Sequence, residues 1–112
     1  MEPLTPAVFH ILLSLAEGEQ HGYGIMQEVA ARTDNDVVMG PGTLYGTLKR
    51  MLESGLIEES GERPDPALDG QRRRYYRLTR QGRRAAVLEA ERLEALVRTA
   101  RAKNLLRRPQ RA

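Results

Sequence analysis

The sequence predicts a mainly helical fold with one small antiparallel β-hairpin. Three observations carry that expectation. Apolar residues recur at helical spacing in three successive segments; two short alternating segments then flank a loop rich in Pro, Gly and Asp; a last helical pattern runs on past any core so short a chain can build. At 112 residues the chain has the length of one domain with little surplus core, so part of its burial is expected to come from a partner subunit.

Thr5 before Pro6 reads as an N-cap followed by a first-turn proline. Leu4, Val8, Ile11, Leu12 and Leu15 then form a stripe on a first helix over residues 6–17, closed by Gly18. Phe9, the one phenylalanine, falls off that stripe and is a candidate subunit contact. His10 is expected at the surface or an interface. His21-Gly22-Tyr23-Gly24 opens a second helix whose buried side would be Ile25, Met26, Val29 and Ala30. Gly22 permits an N-cap geometry and lets the backbone approach whatever faces this helix N-terminus, where free N–H groups and the positive dipole end suit a phosphate. His21 is expected to order the turn before it. Asp34-Asn35-Asp36 breaks the helix, and Val37-Val38-Met39 reads as an extended connector.

The third helix is bracketed by Pro41, suited to a first turn, and Gly55, suited to a left-handed terminus. Leu44, Leu48, Met51 and Leu52 would be its buried face, leaving Thr43, Thr47 and Arg50 on the other side with Tyr45 and Lys49 nearby. Hydroxyls, a guanidinium, an ammonium and a phenol can all donate to phosphates and base edges, so this segment reads as a recognition helix. Strands over 56–60 and 72–78, joined by a turn-rich stretch over 61–70, make a hairpin wing. Tyr75 and Tyr76 must point to opposite faces, one packing on the core beside Leu78; Arg72 and Arg74 share one face and Arg73 takes the other. Thr79 caps a last helix through Ala86, Leu93, Leu96, Val97 and Ala100 to about Leu106, with Gly82 weakening its first turns and a basic tail beyond it.

The chain carries 18 Lys and Arg against 15 Asp and Glu, a net charge of +3, so the distribution of charge decides its meaning. Arg72, Arg73, Arg74, Arg77, Arg80, Arg83 and Arg84 fall in one stretch without an acid, a local positive field for which nucleic acid is the commonest partner. The absence of cysteine excludes disulfides, thiolate nucleophiles and cysteine-ligated metals. No apolar run approaches the ~20 residues of a membrane span and no leader pattern opens the chain, so a soluble cytoplasmic protein without a membrane partner is expected. Two histidines beside a helical turn supply no convergent acid–base site, Asp65 and Asp69 lack calcium-loop spacing, and no Gly-Lys-Ser or Gly-Lys-Thr loop is present. An enzyme, a metal and a cofactor are therefore not expected.

Helix, helix, helix, wing is the order of a winged helix-turn-helix. Within that order, His21-Gly22-Tyr23-Gly24-Ile25, then Gly42-Thr43-Leu44-Tyr45 with the run from Leu48 through Gly55-Leu56-Ile57, then Arg74-Tyr75-Tyr76-Arg77-Leu78-Thr79-Arg80-Gln81-Gly82, resemble the successive signatures of the PadR family of transcriptional regulators. The resemblance spans about residues 4–106 and is similar to the subgroup with a short C-terminal region. It departs at Gly46, where proline is common, and in the wing tip.

The resemblance implies a DNA-binding repressor acting as a homodimer. Its parts would be a winged DNA-binding domain over residues 1–78, a dimerisation helix over 79–106 and a basic tail over 107–112. On matching positions Tyr23, Thr43, Tyr45, Lys49 and Arg50 would face double-stranded DNA, with Arg72, Arg73 and Arg74 at the wing; the free face of the third helix adds Thr47. Phe9, Leu93, Leu96, Val97 and Ala100 are the dimerisation candidates. Some members take small aromatic or cationic effectors, but with no tryptophan to stack on one, no particular ligand is predicted here. Ordinary roles compete at each position: a packing tyrosine at 45, a solvated helix face for Lys49 and Arg50, and a strand decorated for solubility for the arginines. The alternative function is a winged-helix protein-interaction module without specific DNA binding, against which the arginine stretch weighs.

Overall fold

The computed structural model describes residues 3–64 and 72–107, and of Arg72 the backbone alone. The expected wing tip beyond Pro64, the Arg72 side chain and the tail beyond Arg107 lie outside the described residues. The elements are α1 (Pro6–Ser14), β1 (Gln20–His21), α2 (Gly22–Arg32), α3 (Pro41–Glu53), β2 (Ile57–Pro64), β3 (Arg72–Leu78) and α4 (Arg80–Ala102). Three helices, a wing and a long last helix follow one another as the sequence patterns require.

One core joins them: Ile11, Leu12 and Leu15 from α1 and its last turn, Ile25 and Val29 from α2, Leu44, Leu48 and Met51 from α3, Ile57 and Tyr76 from the sheet, and Ala85 from α4. Each large side chain so buried contributes roughly 1.5–3 kcal/mol. Tyr76 is the tyrosine that packs inward, and Leu78, two residues on along the same face, lies against the same core.

Several boundaries differ from expectation, each for a local reason. α1 stops at Ser14 rather than residue 17, because the N–H groups of Ala16 and Gly18 bond to carbonyls only three residues back, at 3.2 and 3.3 Å. This is the tighter winding that commonly ends helices. β2 runs to Pro64, past the glycine expected to begin the turn. Its register with β3 slips between Glu59 and Gly61, where Gly61 adopts φ +128°, and a proline is tolerated because β2 is an edge strand. The hairpin also gains a third strand: β1 pairs antiparallel with β3 through Gln20↔Tyr76 and His21↔Tyr75, giving the order β1-β3-β2. Two residues are too few to show alternation in a sequence.

α3 closes as expected at Gly55 (φ +79°), with Leu56 N–H donating to the Met51 carbonyl at 3.0 Å. α4 is capped by Thr79, whose hydroxyl oxygen accepts from Gly82 N–H at 3.0 Å while its proton goes to the Gly55 carbonyl at 2.6 Å. It ends at Ala102, short of Leu106, because Asn104 turns left-handed (φ +61°) and Leu105 N–H reaches back to Ala100. Gly82 does more than weaken a turn: it is buried, and its α-carbon faces the Leu56 carbonyl with no room for a side chain.

Candidate nucleic-acid interface

On α3 the buried residues are Leu44, Thr47, Leu48 and Met51. At ~100° per residue, Thr47 falls about 40° beyond Met51, at the edge of the inward arc. The expectation that Thr47 lies on the free face is therefore wrong: it is 1% exposed. Its hydroxyl donates to the Thr43 carbonyl at 2.7 Å and accepts from Arg50 Nη2 at 3.2 Å. Thr47 thus anchors the arginine that reaches outward. Thr43, Tyr45, Lys49 and Arg50 are exposed, as is Gly42, and half-buried Gly46 lies on the same arc; the two glycines leave the helix backbone open to close approach. A methyl group at Gly46 would meet only Arg50 Nη1, at 3.6 Å.

Tyr45 is both packed and exposed. Its ring is 49% exposed, yet it rests on the first turn of α2, where a Cβ at Gly22 would lie 2.8 Å from Tyr45 Oη. Gly22 is a glycine because this ring occupies the space. The α2 N-terminus therefore sits beside the free face of α3, bringing the positive end of its dipole next to Tyr45. The N-cap is His21 rather than Gly22, which is already the first helical residue, and His21 Nδ1 accepts from Gly24 N–H at 2.9 Å.

Tyr23 projects from the same turn, and the Arg73 guanidinium lies 4.9 Å from its ring centre, with Arg73 Nη1 3.3 Å from His21 Nδ1. The wing thus meets α2 through a cation over an aromatic face. Tyr75 stands edge-on to His21 at 5.3 Å, and Arg63 of β2 covers Tyr75 at 4.3 Å. Arg63 in turn pairs with Glu19 at 2.5 Å, and this hydrogen bond holds the Glu19 carboxyl down at about 2. Neither Arg63 nor Glu19 was a sequence candidate. Their partners lie on different elements, and no local spacing joins them.

The expectation of a positive stretch without acids fails in three dimensions. Arg74 pairs with Glu59 and Glu62 at 3.6 and 3.3 Å, and Arg77 with Glu58 at 2.8 Å. All three acids come from β2, so a count along the chain misses them. These are exposed pairs of ~0–1 kcal/mol, readily exchanged for another anion.

Along α4 the buried residues are Gly82, Ala85 and Glu89, spaced as one helix face, and none follows Glu89. Glu89 accepts from Arg92 Nε and Nη2 at 3.0 and 2.5 Å and from Leu4 N–H at 3.3 Å, fastening the chain's beginning to α4. Bonding to Arg92 holds its carboxyl below the ordinary range. An acid in step with an apolar stripe and three residues before an arginine was the available signal. Beyond it Leu96 (55%) and Val97 are exposed and Leu93 and Ala100 half-buried, on one side of the helix. Phe9, half-buried, is not among the side chains packed on the core.

Among the described residues no helix is long and apolar enough to cross a membrane, and no cluster of His, Asp and Glu suited to a metal occurs. Comparison with known proteins gives a consistent picture. The chain is 39% identical over 89 residues to transcriptional regulator Rv3488 of Mycobacterium tuberculosis, an alignment covering 80% of this chain and 77% of that protein. The structure of a transcriptional regulator from Clostridium thermocellum superposes with a TM-score of 0.70 at 29% identity, over 86% of this chain and 87% of that one. Bacillus subtilis PadR, solved in complex with operator DNA, shares the fold at a TM-score of 0.64 and 18% identity, over 98% of this chain and 52% of that one. The profile of the transcriptional regulator PadR-like family matches residues 11–87, which contain α2, α3 and the wing. With that match over most of its length, the chain belongs to the PadR-like family of transcriptional regulators.

Proposed function

We propose that this chain is a repressor that binds a pseudo-palindromic operator as a homodimer in the cytoplasm. The observation that carries the reading is the shared surface of α3 and the α2 N-terminus, where Thr43, Tyr45, Lys49, Arg50 and Tyr23 stand exposed together. Thr43 and Arg50 would reach base edges or nearby phosphates. Lys49, Tyr23 and the wing arginines 72, 73 and 74 would hold the backbone. Thr47 serves the interface through Arg50. The operator complex of Bacillus subtilis PadR supports the assignment by likeness of fold.

Residues 1–78 would form the DNA-binding part and 79–106 the dimerisation helix. Leu93, Leu96, Val97 and Ala100 follow the i, i+3, i+4, i+7 pattern of a helix-on-helix seam, and Phe9 adds an apolar group from α1. Two copies joined there would present their third helices one duplex turn apart, ~34–36 Å. A small effector would act by favouring one spacing of the two halves over another.

The test is a footprint and mobility-shift titration on the DNA upstream of the protein's own gene, over a series of salt concentrations. Protection of two half-sites is expected, with affinity falling steeply as salt rises. Arg73→Ala should weaken binding and flatten the log–log salt slope by ~1. Leu96→Glu with Val97→Glu should yield monomers in sedimentation and abolish the shift. Failure of the wild-type protein to be retained on heparin or to shift any duplex would instead favour a protein-interaction module.

A further inference from the structure

The contacts that leave α2 for the wing form one unbroken line. Glu19 holds Arg63, Arg63 covers the Tyr75 ring, Tyr75 stands edge-on to His21, and His21 caps Gly24 while its Nδ1 faces Arg73, which lies over Tyr23. The line begins in the link between α1 and β1, crosses all three strands and ends on two residues assigned above to DNA. A wing attached to the domain by its own hairpin alone would be free to tilt. Here its edge strand is drawn toward β1 by an ion pair and its inner strand is stacked against the cap of α2.

We propose that Glu19, Arg63 and Tyr75 are positioning residues for DNA binding, which set the angle of the wing against the α2 N-terminus so that Arg73 and Tyr23 present one phosphate-binding edge. This rests on the DNA-binding reading of the interface. The consequence runs against simple electrostatics. Glu19 is an acid near a surface meant for a polyanion, so as a bystander it would only repel DNA. As a tether it aids binding.

The experiment compares wild type, Glu19→Gln, Tyr75→Leu and Tyr75→Phe on the operator and on a scrambled duplex, across salt, well below each variant's unfolding temperature. Glu19→Gln raises the net charge by one yet should lower operator affinity at least threefold while leaving scrambled-duplex affinity level or higher. Tyr75→Leu, neutral in charge, should lower operator affinity and flatten the salt slope by ~1 as Arg73 loses its placement. Tyr75→Phe keeps the ring and should behave as wild type. Operator affinity that rises or holds in Glu19→Gln would overturn the proposal, and that exposed position does not depend on Tyr75→Leu folding. If the wild-type protein itself binds neither duplex, the DNA-binding reading fails first. If wild type binds and Glu19→Gln binds as well, only the tether falls.

Discussion

Replacing Gly82 with alanine adds one methyl group to the point where α4 rests on the turn between α3 and β2. In an open helix the change stabilises, by ~0.5–1 kcal/mol, because alanine loses less backbone freedom. At Gly82 the new Cβ would overlap the Leu56 carbonyl oxygen and lie 2.9 Å from its carbon, against an ordinary carbon contact of ~3.5–4.0 Å. The obstacle is backbone and cannot rotate away, so the first turn of α4 must lift by about 1 Å. That strains or breaks the Thr79 hydroxyl bond to Gly55 (2.6 Å) and the Thr79 N–H bond to Leu56 (3.2 Å), at ~0.5–1.5 kcal/mol each, besides ~1–3 kcal/mol for overpacking. A net loss of about 3 kcal/mol is expected. Gly46→Ala is the matched control, since its methyl meets only Arg50 Nη1 at 3.6 Å and should add up to ~1 kcal/mol. Urea unfolding followed by circular dichroism at one fixed protein concentration reads both, as midpoints that move in opposite directions at constant slope. A Gly82→Ala protein as stable as wild type would show that α4 does not seat on Leu56, and the packing account would fail with it.

Thr47→Val keeps the shape of a buried side chain and removes the oxygen that holds Arg50, so operator affinity should fall about three- to tenfold, the ~0.7–1.4 kcal/mol of one ordinary lost hydrogen bond. An unchanged affinity would show that Arg50 needs no anchor. Gly22→Ala should displace the Tyr45 ring, visible as altered tyrosine NMR shifts and weaker DNA binding. The folding midpoint should change little, because the obstacle is the far end of a side chain. Glu89 has a folded-state pKa below its unfolded one, so its contribution to stability is present above the ordinary carboxylate range and is lost as pH falls through the folded value. Glu89→Gln should therefore destabilise at neutral pH and show a shallower loss on acidification than wild type, measured as thermal midpoints from pH 7 to 3; parallel curves would refute the assignment.

Element order was legible because each helix carries a one-sided stripe and most boundaries their own cap: Thr5, Gly55 and Thr79 do in the structure what their chemistry suggests. The exposed arc of α3 was legible for Thr43, Tyr45, Lys49 and Arg50, since a buried face implies its opposite. Thr47 is not legible in the same way, because its angular position lies at the edge of the apolar stripe, where a polar side chain can face either way. A threonine there can turn its hydroxyl back to the Thr43 carbonyl and enter a core at little cost.

By itself the sequence determined what depends on near neighbours: helix stripes, caps, the left-handed glycine after α3, the alternation that sends Tyr75 and Tyr76 to opposite faces. Tertiary structure alone decided what depends on residues far apart in the chain. Glu58, Glu59 and Glu62 answer the arginines of β3 across a strand, Glu19 reaches Arg63, Tyr45 fills the space Gly22 leaves, and Leu56 dictates the glycine at 82. Periodicity records which way a side chain points from its own backbone. Which other backbone it then meets is set only when the elements pack.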